Sequence, residues 1–326
     1  MKRAISLLAL LADGREHSGA SLANLLGVGR AAVWNQVNRL RSEGVAIEAT
    51  PGQGYVLRGG FEPIDTNFID NELATLIGPR CFNTRVLDVT DSTNQQLLNL
   101  HHEKDIHSEV LFAEYQTAGR GRRGDKWISP PGSGLCFSLG WLFEDPPATF
   151  SALSLVVGIS LLKTLKKIGL EKTYLKWPND LITDKGKLAG ILIELRSQAG
   201  GPATTVIGIG LNMHVPVEAR SLVDQPVDDV HRAVGKDIRR NDLATALLAD
   251  LHRNLSAFAS EGFPPFRDVW MSHDSLAGKR AELNTGNKIV RGVGRGVDDY
   301  GAILLEENGN VRRYLSGHIR EAKLNV

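Results

Sequence analysis

The chain has 326 residues, of which 42% are hydrophobic and 23% are charged. This composition excludes a mainly disordered chain, because enough apolar surface is available to offset the entropy lost on folding. The 38 basic and 37 acidic residues give a net charge of +1, which argues against a chain that is polybasic throughout. The charge is uneven, however, since residues 1–60 carry a net +3 and the remainder carries −2. The length allows two or three domains.

The first twelve residues start with charged side chains and continue as an apolar run, so a signal peptide has to be considered. The run is short, no small-residue cleavage site precedes Asp13, and patterned sequence follows at once. The longest apolar stretch elsewhere, 152–162, is too short to span a bilayer. Two isolated cysteines, Cys81 and Cys136, indicate neither a disulfide framework nor a paired-cysteine metal site. We therefore expect a cytoplasmic protein that has no membrane segment.

Glycines divide the first sixty residues into three predicted helices. Apolar residues recur at helical spacing before Gly14, which ends the first helix. Ser18 can cap a second helix that ends at Gly27. A third helix is expected over residues 30–43, and Gly44 ends it. The order of helix, tight glycine turn and helix is the helix-turn-helix arrangement.

The outward face of the third helix carries side chains suited to reading DNA bases. Asn and Arg can pair bidentately with adenine and guanine in the major groove, and two strand-like runs around a turn at 51–54 predict a wing beside the phosphate backbone. The candidate DNA-binding residues are Arg30, Trp34, Asn35, Asn38 and Arg39. The alternative is a small helical domain for protein contacts, since polar outward faces are usually only solvated. Because +3 is a modest charge, specific binding is expected to need two copies on a palindromic operator.

Residues 61–273 alternate between strand and helix patterns. The strands outnumber the crossovers that a purely parallel sheet requires, so a mixed sheet covered by helices is expected. Pro146 and Pro147 are expected to open a long helix, and residues 91–93 to offer cap oxygens to another. From residue 274 to the end, short strands and glycine turns suggest a small barrel.

The loop at 119–124, GRGRRG, matches the pattern G-x-G-x-x-G, which is a weak signal alone. A dinucleotide-binding fold would need a helix directly after this pattern, but DKWISPPGSG follows. The sequence contains no H-R-D, D-F-G or Walker motif, which argues against kinases and P-loop enzymes. Glycines let a loop approach a ligand closely, and three arginines in it imply an anion. The alternative is an exposed basic loop that binds nothing.

Charged residues also stand at predicted strand ends, where ligand sites of α/β proteins gather. They are Lys176, Asp180 and Lys187, and each alone could equally be a turn residue. Gly208 and Gly210 lie in a predicted strand and permit close approach of another backbone or a ligand. The spacing of histidines and carboxylates predicts no metal site.

Four segments, read together, resemble those of a known family. They are GRGRRG followed by KW, DSTNQ, KWPND and KLAGIL, and they resemble the bifunctional biotin–protein ligases and biotin operon repressors of bacteria. The likeness covers nearly the whole chain. It implies an α+β multidomain fold. Its domains are an N-terminal winged helix-turn-helix over 1–60, a central mixed-sheet catalytic domain like class II tRNA synthetases over 61–273, and a C-terminal SH3-like β-barrel over 274–326.

The same resemblance implies two activities. One is a biotin–[acetyl-CoA-carboxylase] ligase that uses ATP and Mg²⁺ to form biotinyl-5′-AMP. It then transfers biotin to a lysine of the biotin carboxyl carrier protein of acetyl-CoA carboxylase. The other is repression of biotin synthesis genes, with the adenylate as co-repressor and a homodimer on operator DNA. Two alternatives stay open: a lipoate–protein ligase of the same fold, and a ligand-sensing transcription factor without catalysis.

The family's functional residues carry over to matching positions. The implied biotin-binding residues are Ser92, Thr93, Asn94, Gln116, Arg120, Gly121, Arg122 and Lys187. The implied nucleotide-binding residues are Trp127, Lys176, Asn179 and Asn212. The candidate catalytic residues are Lys187, Arg120, Arg122 and Asp180. Asp125 stands where the repressor that this chain resembles has a basic residue. The third helix also differs from that of the repressor, so the operator sequence does not carry over.

Overall fold

Three helices and a hairpin form the N-terminal region of the structure, a computed structural model that describes residues 6–42, 45–50, 52–197 and 201–322. The elements are α1 Leu7–Leu11, α2 Gly19–Leu26, α3 Arg30–Ser42, β1 Ile47–Thr50 and β2 Gly54–Leu57. Ser18 Oγ accepts a hydrogen bond from Ser21 N, and Gly27 adopts φ +66°, so both predicted boundaries of α2 are confirmed. The predicted helix end at Gly44 and the wing-turn residue Pro51 lie outside the described residues.

A seven-stranded sheet forms the centre of the molecule. Its strands are β3 Asn83–Thr90, β4 Glu109–Gln116, β5 Gly134–Phe143, β6 Tyr174–Lys176, β7 Asp180–Thr183, β8 Gly186–Ser197 and β9 Ala203–Asn212. They lie in the order β3-β4-β5-β9-β8-β7-β6. The β3–β4 pair is parallel and the other pairings are antiparallel, which confirms the predicted mixed sheet.

Helices cover both faces of this sheet. The helices of this region are α4 Thr66–Ile77, α5 Thr93–His101, α6 Leu153–Lys167, α7 Val217–Arg220, α8 Val230–Val234, α9 Arg240–Glu261 and α10 Pro264–Met271. The long helices α6 and α9 pack on each other over one face, and their buried leucines, together with Phe258 of α9, belong to the main core. The other face carries α5, whose Leu97 and Leu98 pack on Leu111 and Val206 of the strands. No described helix has the length and apolar character that crossing a membrane requires.

Two local predictions are wrong. The prolines do not open a helix: Pro147 O accepts a hydrogen bond from Phe150 N, a short 3₁₀ turn follows, and α6 begins only at Leu153. Ser92 occupies the N-cap of α5, but its side chain makes no capping bond; Asp91 Oδ1 instead accepts from Ser92 N. The short helices α7 and α8 were not predicted, because each has a single turn and too few residues to show a helical period.

The C-terminal region is a five-stranded antiparallel sheet, in agreement with the predicted barrel. Its strands are β10 Arg280–Asn284, β11 Ile289–Val297, β12 Ile303–Glu307, β13 Asn310–Tyr314 and β14 His318–Glu321, in the order β13-β12-β11-β10-β14. Main-chain hydrogen bonds join it to the central sheet, since Leu175 N donates to His273 O and Ser275 N donates to Leu175 O. Asp274 is buried at this junction.

A buried ion pair holds the chain that leaves the winged domain. Glu114 on β4 lies 2.8 Å from Arg240 on α9, and both side chains are almost completely buried. The second carboxylate oxygen of Glu114 accepts from Ile64 N, and Arg240 also donates to Gly134 O at the start of β5. The Arg240 guanidinium lies over the Phe61 ring. The segment after β2 is therefore fixed to the same two strands that border the cleft described below.

Removing the cation of this pair should destabilise the protein strongly. Arg240→Met keeps most of the side-chain volume but leaves the Glu114 carboxylate buried without its partner, a change that typically costs about 3–5 kcal/mol. The measurement is the free energy of unfolding in urea. The control is Lys279→Met, which removes an exposed cation paired with the exposed Glu321 on the C-terminal sheet, at a cost below about 1 kcal/mol. Equal losses in both variants would contradict the assigned role.

The buried carboxyl of Asp274 should make stability depend on pH. Burial raises its pKa from 3.8 to about 6, against the opposing effects of the Leu276 N–H and Lys279. The pKa of Asp274 is higher in the folded state than in the unfolded state. Protonation of Asp274 therefore contributes its full stabilisation of the fold below pH 3.8, and this contribution is lost as pH rises through about 6. Asp274→Asn, which cannot ionise, should exceed wild type by about 2–3 kcal/mol at pH 8, and the gap should close towards pH 4. The measurement is urea unfolding across this pH range, with the exposed Asp268→Asn as the control. The account would be refuted if the difference in unfolding free energy between Asp274→Asn and wild type were as independent of pH as that of the control.

Candidate active site

A cleft of about 550 Å³ opens between the sheet, the GRGRRG loop and the C-terminal domain. It brings together every residue that the sequence predicted for biotin binding, nucleotide binding and catalysis. They are Ser92, Thr93, Asn94, Gln116, Arg120, Gly121, Arg122, Trp127, Lys176, Asn179, Asp180, Lys187 and Asn212. These positions are spread over 121 residues of sequence, so the fold and not the local chain makes them neighbours.

The start of α5 forms one wall of the cleft. Thr93 N donates to Gln116 Oε1 over 2.8 Å, which ties the helix to the end of β4. Asn94 lies over Gly208 of β9, where a Cβ would overlap its amide oxygen. We expected a backbone or a ligand to approach Gly208 closely, but the group that does so is the Asn94 side chain. Uncharged hydrogen-bonding groups therefore line this end of the cleft.

Trp127, directly after the GRGRRG loop, forms a second wall. Its ring lies against Gly210 of β9, where a Cβ would overlap the indole, so a glycine is required there. Lys187 Nζ lies 5.8 Å from the centre of the same ring. An apolar plane next to a fixed cation is suited to a planar aromatic group that carries negative charge.

Lys187 of the cleft is paired with a carboxylate, whereas Arg122 lies beside an amide. Lys187 Nζ lies 2.7 Å from Asp180 Oδ1, with 18% and 15% of the two side chains exposed. Asp180 opens β7 and Lys187 lies near the start of β8, and the antiparallel pairing of these strands brings them together. Arg122 approaches Asn179, with 3.5 Å between NH1 and Oδ1. Burial and the neighbouring Arg123 lower the pKa of the Arg122 guanidinium, although Asp180 opposes the shift.

Asn179 and Asn212 hold main-chain groups in place. Asn179 Nδ2 donates to Ile191 O over 2.7 Å. Asn212 Nδ2 donates to Lys187 O and to Asp228 O, each over 3.1 Å. Lys187 N in turn donates to Pro226 O. The backbone of Lys187 is therefore held on both sides, which directs its side chain into the cleft. Asn179 and Asn212 therefore line the cleft and also bind main-chain groups of its strands.

Glu194 is a site residue that the sequence analysis missed. Its carboxylate binds Arg120 over 2.5 Å and accepts from Asn94 Nδ2 over 2.9 Å. Arg120 also donates to Gln95 Oε1. The two-residue period of a strand places Glu194 on the same face of β8 as Gly190 and Leu192, which line the cleft.

Two more segments reach the cleft without a signal in the sequence. Residues 222–225 lie between α7 and α8, and residues 317–319 belong to the C-terminal domain. Burial, followed by the charge of Lys176, lowers the pKa of His318. The neutral imidazole therefore predominates near neutral pH, and the barrel contributes an uncharged group to a cleft rich in cations.

The predicted DNA-reading side chains lie apart from the cleft, on α3. Trp34 is 58% exposed, Arg30, Asn35 and Arg39 are exposed, and Asn38 is half-buried. The opposite face is buried, with Val33, Val37 and Leu40 in the core of the winged domain. Across the described ranges, no group of three or more His, Cys, Asp or Glu side chains is arranged to hold a metal ion.

Comparisons with known families match three separate segments. Residues 3–56 match the HTH domain, residues 86–212 match the Biotin/lipoate A/B protein ligase family, and residues 277–319 match the Biotin protein ligase C terminal domain. The matched segments coincide with the winged domain, the strands that build the cleft and the C-terminal sheet.

Individual relatives resemble most or nearly all of the chain. The bifunctional ligase/repressor BirA of Escherichia coli K12 is 41% identical over 97% of this chain and 96% of its own length. The biotin–[acetyl-CoA-carboxylase] ligase of Mycobacterium tuberculosis is 34% identical over 69% of this chain and 85% of its own. A solved biotin protein ligase from Aquifex aeolicus, in complex with biotin and ATP, is 28% identical with a TM-score of 0.63, covering 74% of this chain and 99% of that one. The chain therefore belongs to the biotin protein ligase family, in its bifunctional ligase and repressor form.

Proposed function

We propose that the cleft of this ATP-dependent biotin–protein ligase brings the biotin carboxylate against the α-phosphate of MgATP. The observation that carries this proposal is the convergence of Lys187, Arg120 and Arg122 on one cleft that also holds uncharged hydrogen-bonding groups and the Trp127 plane. Neutral polar groups suit a ureido ring, and the aromatic plane suits adenine. Mg²⁺ enters with the nucleotide as part of the substrate, because in such sites it is bound through substrate phosphates and keeps several of its waters.

The first step is the attack of the biotin carboxylate on the α-phosphorus, with pyrophosphate as the leaving group. Two anions meet in this step, and the phosphoryl oxygens gain charge. Lys187 supplies a fixed positive charge there, because Asp180 and the Asn212 contact to its carbonyl hold it in place. Arg122 adds a second cation, which is more effective because it is partly desolvated.

The second step is the attack of a carrier lysine amine on the mixed anhydride, which releases AMP. Asp180 is the proposed group that orients or deprotonates this amine. Its carboxylate lies 2.7 Å from Lys187 Nζ, beside the proposed reacting centre. The partner is proposed to be the biotin carboxyl carrier protein of acetyl-CoA carboxylase, supported by the likeness to the Mycobacterium tuberculosis ligase of that substrate.

We also propose the division of the chain into 1–60, 61–273 and 274–326. In support, β2 ends at Leu57, α10 ends at Met271, and β10 begins at Arg280. A cytoplasmic location belongs to the same proposal, because Cys81 and Cys136 are free thiols. The DNA-binding form is proposed to be a homodimer bound to biotinyl-5′-AMP, in which two copies of α3 face successive major grooves.

Loss of the Lys187 charge should block adenylate formation. Lys187→Met is expected to reduce biotin-dependent ATP–pyrophosphate exchange by roughly 10²–10³, the usual effect of removing one preorganised charge-stabilising donor. The exposed Lys185→Met, in the β7–β8 turn outside the cleft, is the matched control and should exchange at the wild-type rate. Exchange that depends on lipoate in place of biotin would point to the other activity of the matched family. Wild-type exchange by Lys187→Met would reject the role given to this residue.

The adenylate should strengthen DNA binding. Operator sequences selected from a random pool should bind more tightly, by about 5- to 150-fold, when biotin and MgATP are present, the usual range for coupling between two sites. A gel-shift titration measures this effect. The control is biotin with α,β-methylene ATP, which cannot release pyrophosphate and should give no increase. Equal affinity with and without adenylate would contradict the proposed switch.

A further inference from the structure

A row of three residues crosses the sheet beneath Asn94. Ser138 of β5 and Leu192 of β8 both pair with Gly208 of the strand between them. The Asn94 amide lies over this glycine, which leaves room for it. On one side Ser138 Oγ lies 2.5 Å from Asn94 Oδ1, and on the other Asn94 Nδ2 donates to Leu192 O over 3.3 Å.

Glu194 determines which way the Asn94 amide faces. Its carboxylate can only accept hydrogen bonds, and it lies 2.9 Å from Asn94 Nδ2. If the amide were turned over, its oxygen would face both this carboxylate and Leu192 O, which are acceptors. The amide oxygen therefore faces Ser138, where it too can only accept.

The single proton of each hydroxyl then has a fixed direction. Ser138 must give its proton to Asn94 Oδ1, because that oxygen has none to offer. Ser138 Oγ also lies 2.7 Å from Thr93 Oγ1, so the proton between these oxygens comes from Thr93. Gln116 Oε1 is a second possible acceptor for the Thr93 hydroxyl proton, at 3.2 Å from Thr93 Oγ1. That contact is longer than the one to Ser138, and Gln116 Oε1 already accepts a hydrogen bond from Thr93 N over 2.8 Å.

We propose that Ser138 and Glu194 are positioning residues that make the Thr93 hydroxyl a hydrogen-bond acceptor towards the cleft. An acceptor there matches an N–H donor of the ligand, and the ureido ring of biotin carries two. The proposal rests on the proposed function and explains some of its substrate choice. Ser138 is completely buried and does not line the cleft, so it acts through Thr93 and Asn94.

The test is a double-mutant cycle of Ser138→Ala and Thr93→Val in the full-length protein, with biotin Kd measured by calorimetry and the KM for ATP by pyrophosphate exchange. Ser138→Ala should weaken biotin binding by about five- to tenfold, the effect of one lost hydrogen bond, and leave the ATP KM unchanged. In the Thr93→Val background the same substitution should have almost no further effect, because the acceptor that it orients is absent. A merely structural role would give the same loss in both backgrounds.

Ser160→Ala is the matched control. Ser160 is also a completely buried serine with two side-chain hydrogen bonds, but it lies on α6 away from the cleft. It should lose comparable stability in thermal melts without a change in biotin Kd. An unchanged Kd in Ser138→Ala, or a full additive loss in the double variant, would overturn the proposal.

A second variant covers the case in which Ser138→Ala does not fold. Glu194→Gln, at the partly exposed end of the network, permits the turned-over Asn94 amide and should weaken biotin binding in the same direction. Part of this loss of biotin affinity should disappear in the Thr93→Val background. A loss of affinity that is the same in both backgrounds would refute the hydrogen-bond network from Glu194 through Asn94 and Ser138 to Thr93. Wild-type protein that binds no biotin would instead reject the proposed function, so the two failures are distinguishable.

Discussion

The mutual repulsion of two anions is the constraint around which the cleft is built. A protein that joins a carboxylate to a phosphate needs cations there, but a cluster of unpaired cations would repel itself and lose hydration. The structure resolves this by giving cations local carboxylate partners, Asp180 for Lys187 and Glu194 for Arg120. Each partner lies on a strand of the sheet, so the charges are fixed before a ligand arrives. Little reorganisation then accompanies the reaction, which is the condition for strong electrostatic stabilisation.

Sheet register is the means by which these groups meet. The three strands β5, β9 and β8 place glycines where Asn94 and Trp127 approach the backbone, and polar side chains at neighbouring positions. Any larger residue at Gly208 or Gly210 would displace one wall of the cleft. A single register shift would turn every such side chain to the other face. The same pairing that stabilises the sheet therefore defines the hydrogen-bonding groups offered to the ligand.

The sequence predicted the three domains of the fold and residues that line the cleft, because short motifs such as KWPND and GRGRRG themselves contain cleft residues. It did not predict Ser138 and Glu194, since their contacts to Asn94 of α5 join positions that are 44 and 100 residues apart in the chain. Nor did it predict the contribution of His318, because a barrel residue has no local mark of the cleft it faces. The two prolines were misjudged for a related reason: their effect on the chain depends on the turn that Pro147 O closes and not on helix propensity.

The ion pair between Glu114 and Arg240 joins strand β4 of the cleft to the segment that leaves the winged domain. Glu114 lies two residues before Gln116 on β4, and its carboxylate also binds Ile64 N, in the segment that leaves the winged domain. Phe61 N in the same segment donates to Ala12 O of that domain. A rigid strand thus carries a group of the cleft at its end and, two residues earlier, the anchor of the DNA-binding domain.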